Sequence, residues 1–265
     1  MKKFFAIAAI AAMTLGFLAC EPEEEQTPNP GPGTEQGGEN NGGENNGGDQ
    51  GETPAPADVA CLNGSDYYLI SLDGTTYNRI SSKVVGDYRT DDYNSHLWIW
   101  ENTYTAGTCT GPNFFGEIEG WISLNVGTVG WSGAGFCCYN AEALAKLANI
   151  TAAPADYVLH IALKSQDAAT HEFVLYSDGG GEAKVQIDVN GTYGYARDGE
   201  WHEIEIPMTH FTNQGLLWTP NLGAGAVPGD NVATAPTGGH NVMAVLSGAS
   251  GSLNLDACFI YKPAK

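Results

Sequence analysis

Nine short runs with strand-like alternation constrain this 265-residue chain more than any other feature. They read "YYLISL", "HLWIW", "GWISLNV", "YVLHIAL", "HEFVLYS", "AKVQIDV", "WHEIEIP", "NVMAVLS" and "LNLDACFIY", with Gly, Asn, Asp or Pro between them. Only "AEALAKLANI" (141–150) has helical spacing, with Asn140 as its cap and Leu144, Leu147 and Ala148 on one face. Many short strands and one short helix predict an all-β fold, a two-sheet antiparallel β-sandwich of jelly-roll type.

Strand parity assigns faces, because successive side chains point to opposite sides. In "EAKVQIDV", Ala183, Val185, Ile187 and Val189 are expected in the core, with Glu182, Lys184, Gln186 and Asp188 outward. In "WHEIEIP", Ile204 and Ile206 go in, while Glu203 and Glu205 share the outer face with Trp201. Ile122, Leu124 and Val126 are core by the same rule, which turns Trp121, Ser123 and Asn125 outward. "NSHLWIWENTY" (94–104) breaks the usual alternation of apolar and polar, being greasy on both faces. If Leu97 and Ile99 supply core, Trp98 and Trp100 are left on an open face; parity alone also permits the opposite assignment.

Residues 1–20, "MKKFFAIAAIAAMTLGFLAC", have two lysines, a short apolar run and small residues before Cys20, which reads as a secretory signal. "FLAC" resembles a bacterial lipobox, with Phe17 where Leu is usual, and implies lipid attachment at Cys20. Residues 21–58 hold no aliphatic or aromatic side chain larger than Ala, so they cannot offset their ordering entropy and read as a disordered acidic Gly/Asn/Pro-rich tether. Glu21, Glu23, Glu24 and Glu25 directly after Cys20 resemble the export signal of Bacteroidetes surface lipoproteins, implying an outer-membrane, cell-surface location. Residues 59–265 fit a single domain.

Of the 31 acidic residues ten lie in the tether, and two of the 11 basic residues lie in the signal, so residues 59–265 carry 21 acids, nine bases and a net charge near −12. That balance argues against nucleic acid and anionic lipid surfaces as partners and favours a neutral ligand. Cys61, Cys109, Cys137, Cys138 and Cys258 show no Cys-x-x-Cys spacing, and their odd count forbids complete internal pairing; buried thiols are expected.

"DYVLHIALKSQDAATHEFVLYS", "YGYARDGEWHEIEIPMTHF" and the closing "LNLDACFIYK" resemble the jelly-roll carbohydrate-binding modules of glycan-degrading bacteria. "NVGTVGWSGAGF" is similar to the strand-turn that accompanies them in Bacteroidetes surface lipoproteins of polysaccharide-utilisation systems. The resemblance spans about residues 66–262. It implies non-catalytic capture of glycan beside neighbouring uptake-system proteins, and a structural Ca²⁺ held by Asp256 and Asp66.

Sugar rings stack their C–H faces on flat aromatics, and their hydroxyls need amide or carboxylate partners. Trp98 and Trp100, followed by Asn102 and Tyr104, have that composition. Trp121, Tyr193 and Tyr195 in a Gly-flanked loop, and Trp218 in a long Gly/Pro-rich loop, are further ligand-binding candidates. Trp131, flanked by "GWSGAG", reads as core. Two other classes compete. One is an adhesin or assembly subunit with a protein partner. The other is a sandwich-fold glycoside hydrolase, for which Glu203 and Glu205, roughly 7 Å apart along a strand, are the nearest pair. The Glu-x-Asp-x-x-Glu pattern of such hydrolases is absent, as are His-Glu-x-x-His and Gly-x-Ser-x-Gly, so no catalytic residue is expected.

Overall fold

The computed structural model describes residues 59–91, 93–127, 130–224, 239–248 and 251–265. The chain divides into two units, Met1–Gln50 and Gly51–Lys265, and every described residue belongs to the second. The signal, Cys20 and the tether lie outside the described residues. Among those described, no helix is long and apolar enough to cross a membrane.

The fold is the expected all-β sandwich of two sheets. One sheet runs β10 (His202–Pro207), β7 (Val158–Lys164), β12 (Leu253–Lys262), β1 (Ser65–Ser71) and β2 (Val84–Asp87). β5 (Ile118–Val126) also pairs with the start of β12, and β4 (Tyr104–Pro112) pairs with β5. The other sheet runs β3 (Ser95–Ile99), β6 (Trp131–Cys138), β11 (His240–Gly248), β8 (His171–Tyr176) and β9 (Glu182–Ile187). Every pairing is antiparallel except that of β1 with β2.

Alternation builds the core between the sheets. Leu159, Ile161 and Leu163 of β7 meet Phe173 and Leu175 of β8, with Ile204 and Ile206 of β10 beside them. The opposite face of β7, with His160 and Ala162, is buried too. It is covered by a second apolar cluster in which the turn Ala60–Leu62 and Phe115 close over Tyr67, Phe259 and Tyr261. This explains why "YVLHIAL" reads as nearly continuous apolar sequence on an antiparallel strand.

Four expectations are corrected. The single helix expected over 141–150 is two shorter ones, α2 (Ala141–Lys146) and α3 (Ala148–Ala152), meeting at Leu147, and the described residues add α1 (Gly74–Ile80) and α4 (Met208–Thr212); Asn140 caps α2 by accepting from the Ala143 N–H at 3.1 Å. Three strands escape the run-finding: β2 is four residues long, while β4 and β6 are rich in Gly and other small residues. Val189 is exposed, because β9 ends at Ile187. Trp131 is 43% exposed and does not enter the core. Cys61, Cys137, Cys138 and Cys258 are buried free thiols, as expected, and Cys109 is buried.

Candidate functional site

Leu97 and Ile99 pack against the core, and Trp98 lies in register with Gly135 of β6. Trp98 therefore points to the outer face of the five-stranded sheet. Trp100 follows in the turn Trp100–Asn102, and its ring lies over the same strand. A Cβ on Gly133 would sit 2.4 Å from Trp100 Cε3 and 2.7 Å from Trp131 Cζ3; one on Gly135 would sit 3.2 Å from Trp100 Cζ2. The two glycines are thus a flat floor, and their missing side chains are what lets the indole lie down on the sheet. Trp98 and Trp100 are half-buried, and Trp131 stands exposed at the edge of the same floor.

The turn that sets Trp100 is held firmly. Thr103, fully buried, donates its hydroxyl to the Trp100 carbonyl at 2.8 Å, and its Oγ1 accepts from the Gly133 N–H at 3.0 Å. Glu101 and Asn102 both take left-handed backbone, with φ of 50° and 55°. Two successive non-glycine residues in that region store strain, a feature that gathers at functional sites. Asn102 is exposed beside the indole.

Next to this floor His96, Cys137 and Asn241 form one row across β3, β6 and β11. His96 Nε2 and Asn241 Oδ1 are buried and have no hydrogen-bond partner among the described residues. The far half of the same face is different: Lys184 bridges Glu172 at 3.2 Å and Glu182 at 2.9 Å, and Gln186 donates to Glu172. The outer face is therefore aromatic over β3 and β6 and polar, internally satisfied, over β8 and β9.

The remaining sequence candidates are not brought to this face. Tyr104 is 3% exposed and belongs to the core, so it offers no open ring. Trp218 is 1% exposed, and its indole N–H donates to the Tyr176 carbonyl at 2.7 Å. Tyr195 is buried under the Arg197 guanidinium, 3.7 Å above its ring, and Tyr193 packs edge-on to His210. Trp218 and Tyr195 are closed off because the loops around them fold back onto the sandwich, while Tyr193 is half-buried and packs against the core.

Trp121 lies on the outer face of the other sheet, edge-on to Trp201 at 5.7 Å, with its N–H donated to Asn254 Oδ1 at 3.1 Å. It lines a cleft of about 760 Å³ with Leu72, Asp87, Arg89, Thr108 and Glu119.

Asp256 and Asp66 do not converge. Asp256 is buried and accepts from the N–H groups of Phe114 and Ala257; burial raises its carboxyl to about 6, against the pull of those two bonds. Asp66 pairs instead with Lys262 at 2.9 Å. The carboxylates that do meet are Asp73, Glu117 and Glu119, whose oxygens lie within 4.8 Å of one another. Burial, then the hydrogen bond shared with Glu119, pushes Asp73 up to about 7. All three are engaged within the protein: Asp73 accepts from the Thr76 N–H and the Asn113 amide, Glu119 from the Thr75 N–H, and Glu117 from the Thr76 hydroxyl.

Glu203 and Glu205 are both engaged, Glu203 with His160 at 3.2 Å and Glu205 as acceptor from the Tyr261 hydroxyl. Trp131 and the glycine floor are what sequence reasoning missed; the alternation of small residues in "WSGAGF" opposite two tryptophans was the available signal.

No protein-family model matches the sequence, and no curated protein matches it. Among solved structures, it is similar to the family 11 carbohydrate-binding module of the cellulosomal cellulase Lic26A-Cel5E of Clostridium thermocellum, at 12% identity and a TM-score of 0.33, covering 64% of this chain and 88% of that one. It is similar to SGBP-B from a complex xyloglucan utilization locus in Bacteroides uniformis, at 13% identity and a TM-score of 0.34, covering 63% and 47%. It also resembles the enzymatically active domain of tailspike protein 4 of bacteriophage CBA120, at 12% identity and 0.34, covering 63% of this chain but only 19% of the tailspike chain. At this distance the likenesses say nothing about a ligand.

Proposed function

We propose that residues 59–265 bind a neutral glycan without catalysis, on the outer face of the five-stranded sheet. The observation that carries this reading is the flat glycine floor bearing Trp100, with Trp98 and the exposed Trp131 beside it. Exposed indole surface of this kind stacks on sugar C–H faces, while Asn102 supplies an amide at the rim. The domain's acidic balance agrees with an uncharged ligand.

Affinity electrophoresis of the domain against a panel of neutral polysaccharides tests this. Trp131→Ala should weaken binding by roughly tenfold or more, as an indole stacked on a sugar contributes about 1–3 kcal/mol. Because Trp131 is already exposed, its melting curve should hardly move. Unchanged affinity in both Trp131→Ala and Trp98→Ala would remove the platform. A second reading rests on the cleft beside Trp121; binding lost only in Trp121→Ala would move the site there. Binding to a protein partner and to no polysaccharide would favour the adhesin class, which the same aromatic face serves.

In this reading residues 1–20 direct export, Cys20 carries the lipid in the outer membrane, and residues 21–58 hold the binding domain away from the surface, near uptake-system proteins. Cys20→Ala should release the protein from the membrane fraction; full protection from external protease in intact cells would place it in the periplasm instead.

A further inference from the structure

We propose that Cys61, His160 and Glu203 form a binding site for a divalent transition metal such as Zn²⁺, on the outer face of β7 and β10 and away from the tryptophan floor. Their ligating atoms, one sulfur, one ring nitrogen and one carboxylate oxygen, lie within 4.8 Å of one another. His160 and Cys61 are buried, and the Glu203 side chain is half-exposed at the mouth.

The geometry around His160 points to a cation. Its Nδ1 lies 2.7 Å from the Ala257 carbonyl, which can only accept, so Nδ1 bears the proton. That leaves Nε2 aimed at Glu203 Oε2, 3.2 Å away, which is an acceptor when ionised. A neutral imidazole would turn a lone pair on a carboxylate, so a cation belongs between them: either a second ring proton, which makes the 3.2 Å contact an ion pair, or a metal ion, which also takes up the Cys61 sulfur. Metal-binding histidines characteristically donate their second ring N–H to a carbonyl or carboxylate, as His160 does.

The backbone is bent to make that contact. The register of β12 against β7 shifts between Asp256 and Phe259, and Ala257 takes a left-handed φ of 43°. A bulge at a non-glycine residue is a strained device for re-aiming a group, and here it places the carbonyl on the ring. Phe259 stacks on the imidazole at 4.8 Å and Phe114 lies 5.6 Å away, so apolar rings hold the imidazole in place.

The distances fit a tetrahedral ion. Nitrogen and oxygen ligands each about 2.0–2.1 Å from zinc stand about 3.3 Å apart, and sulfur at about 2.3 Å stands about 3.6 Å from either. The His160–Glu203 separation of 3.2 Å already matches. Cys61 lies within 4.8 Å, so it closes by no more than about 1.2 Å (4.8 minus about 3.6). It sits in a three-residue turn pinned by the Tyr67 hydroxyl on its own carbonyl at 2.8 Å. A set of one thiolate, one imidazole and one carboxylate suits zinc and its neighbours rather than calcium or magnesium, and three protein ligands leave a fourth position on the open Glu203 side.

Cobalt(II) titration of the reduced full chain tests the site, because a thiolate ligand gives a sulfur-to-cobalt charge-transfer band that oxygen ligands do not. One Co²⁺ per chain with that band, displaced by Zn²⁺, is expected. Cys61→Ser should abolish the band, and Glu203→Gln should weaken Co²⁺ binding by about tenfold or more. Absence of the band, or its survival in Cys61→Ser, overturns the proposal. Should Cys61→Ser fail to fold, Glu203→Gln decides, since its side chain faces solvent; unchanged affinity there overturns the site as well.

Discussion

Trp218→Ala is expected to destabilise the domain by about 3–5 kcal/mol, the cost of truncating a fully buried tryptophan. The ring is 1% exposed, and its N–H reaches the Tyr176 carbonyl at 2.7 Å, so truncation leaves a cavity and removes one of that carbonyl's two partners, the other being His240 Nε2 at 2.9 Å. The segment around it is inserted into the sandwich: Leu216 and Leu222 are buried, and the Thr151 hydroxyl donates to the Trp218 carbonyl at 2.7 Å. Trp218→Phe keeps much of the apolar area and should cost less, with roughly 0.5–1.5 kcal/mol from the lost hydrogen bond, since His240 still bonds the carbonyl. Urea unfolding of both variants gives the two values. A Trp218→Ala midpoint within about 1 kcal/mol of wild type would mean that the loop is not packed, and would return Trp218 to the ligand-binding candidates.

That residue shows where sequence reading works and where it stops. Period-two alternation fixed nine strands because each has a buried face whose demand for large apolar side chains is local. β6 was invisible because its outer positions, Gly133 and Gly135, answer to Trp100, more than thirty residues earlier in the chain. The same long-range contact hides Trp131, whose glycine neighbours suggest tight packing but in fact make room for a different ring. Trp218 and Tyr195 fail in the opposite direction. Gly/Pro-rich or Gly-flanked sequence predicts an exposed loop, yet each aromatic turns inward to close an end of the sandwich. The Asp256–Asp66 pairing failed through register: Ser65 lies opposite Lys262 and Ser71 opposite Cys258, which separates the two acids along β12. Trp98 and Trp100 stood out by composition, but parity left their face open; it is the packing of Leu97 and Ile99 against the core that turns Trp98 outward, and Trp100 lies past the strand in a turn.

Acidification from about pH 6.5 to pH 4 should cost the domain about 3 kcal/mol through His171 alone. The imidazole is fully buried on β8, and neither ring nitrogen has a hydrogen-bond partner among the described residues. Burial first, and then the positive charge of Arg197, holds its pKa down at about 4. In the unfolded chain the ring titrates near 6.5. Between those values the unfolded state takes a proton that the folded state refuses, so unfolding becomes easier by about 1.4 kcal/mol per pH unit. His171 is therefore without penalty above about pH 6.5, and stability is lost as the pH falls toward 4. Asp256, raised to about 6, works with the opposite sign, favouring the folded state at low pH and losing that contribution as pH rises through 6. The two partly cancel in the wild type, so the test is a difference. His171→Leu should remove the His171 component and become progressively more stable than wild type below pH 6.5, the gap reaching about 3 kcal/mol at pH 4. At pH 7 the same variant should be neutral or slightly stabilised, since it removes two unpaired buried nitrogens and keeps an apolar side chain in their place. Parallel stability profiles for wild type and His171→Leu from pH 7 to pH 4 would show that the ring finds water or protonates freely in the folded state, and the assignment would fail.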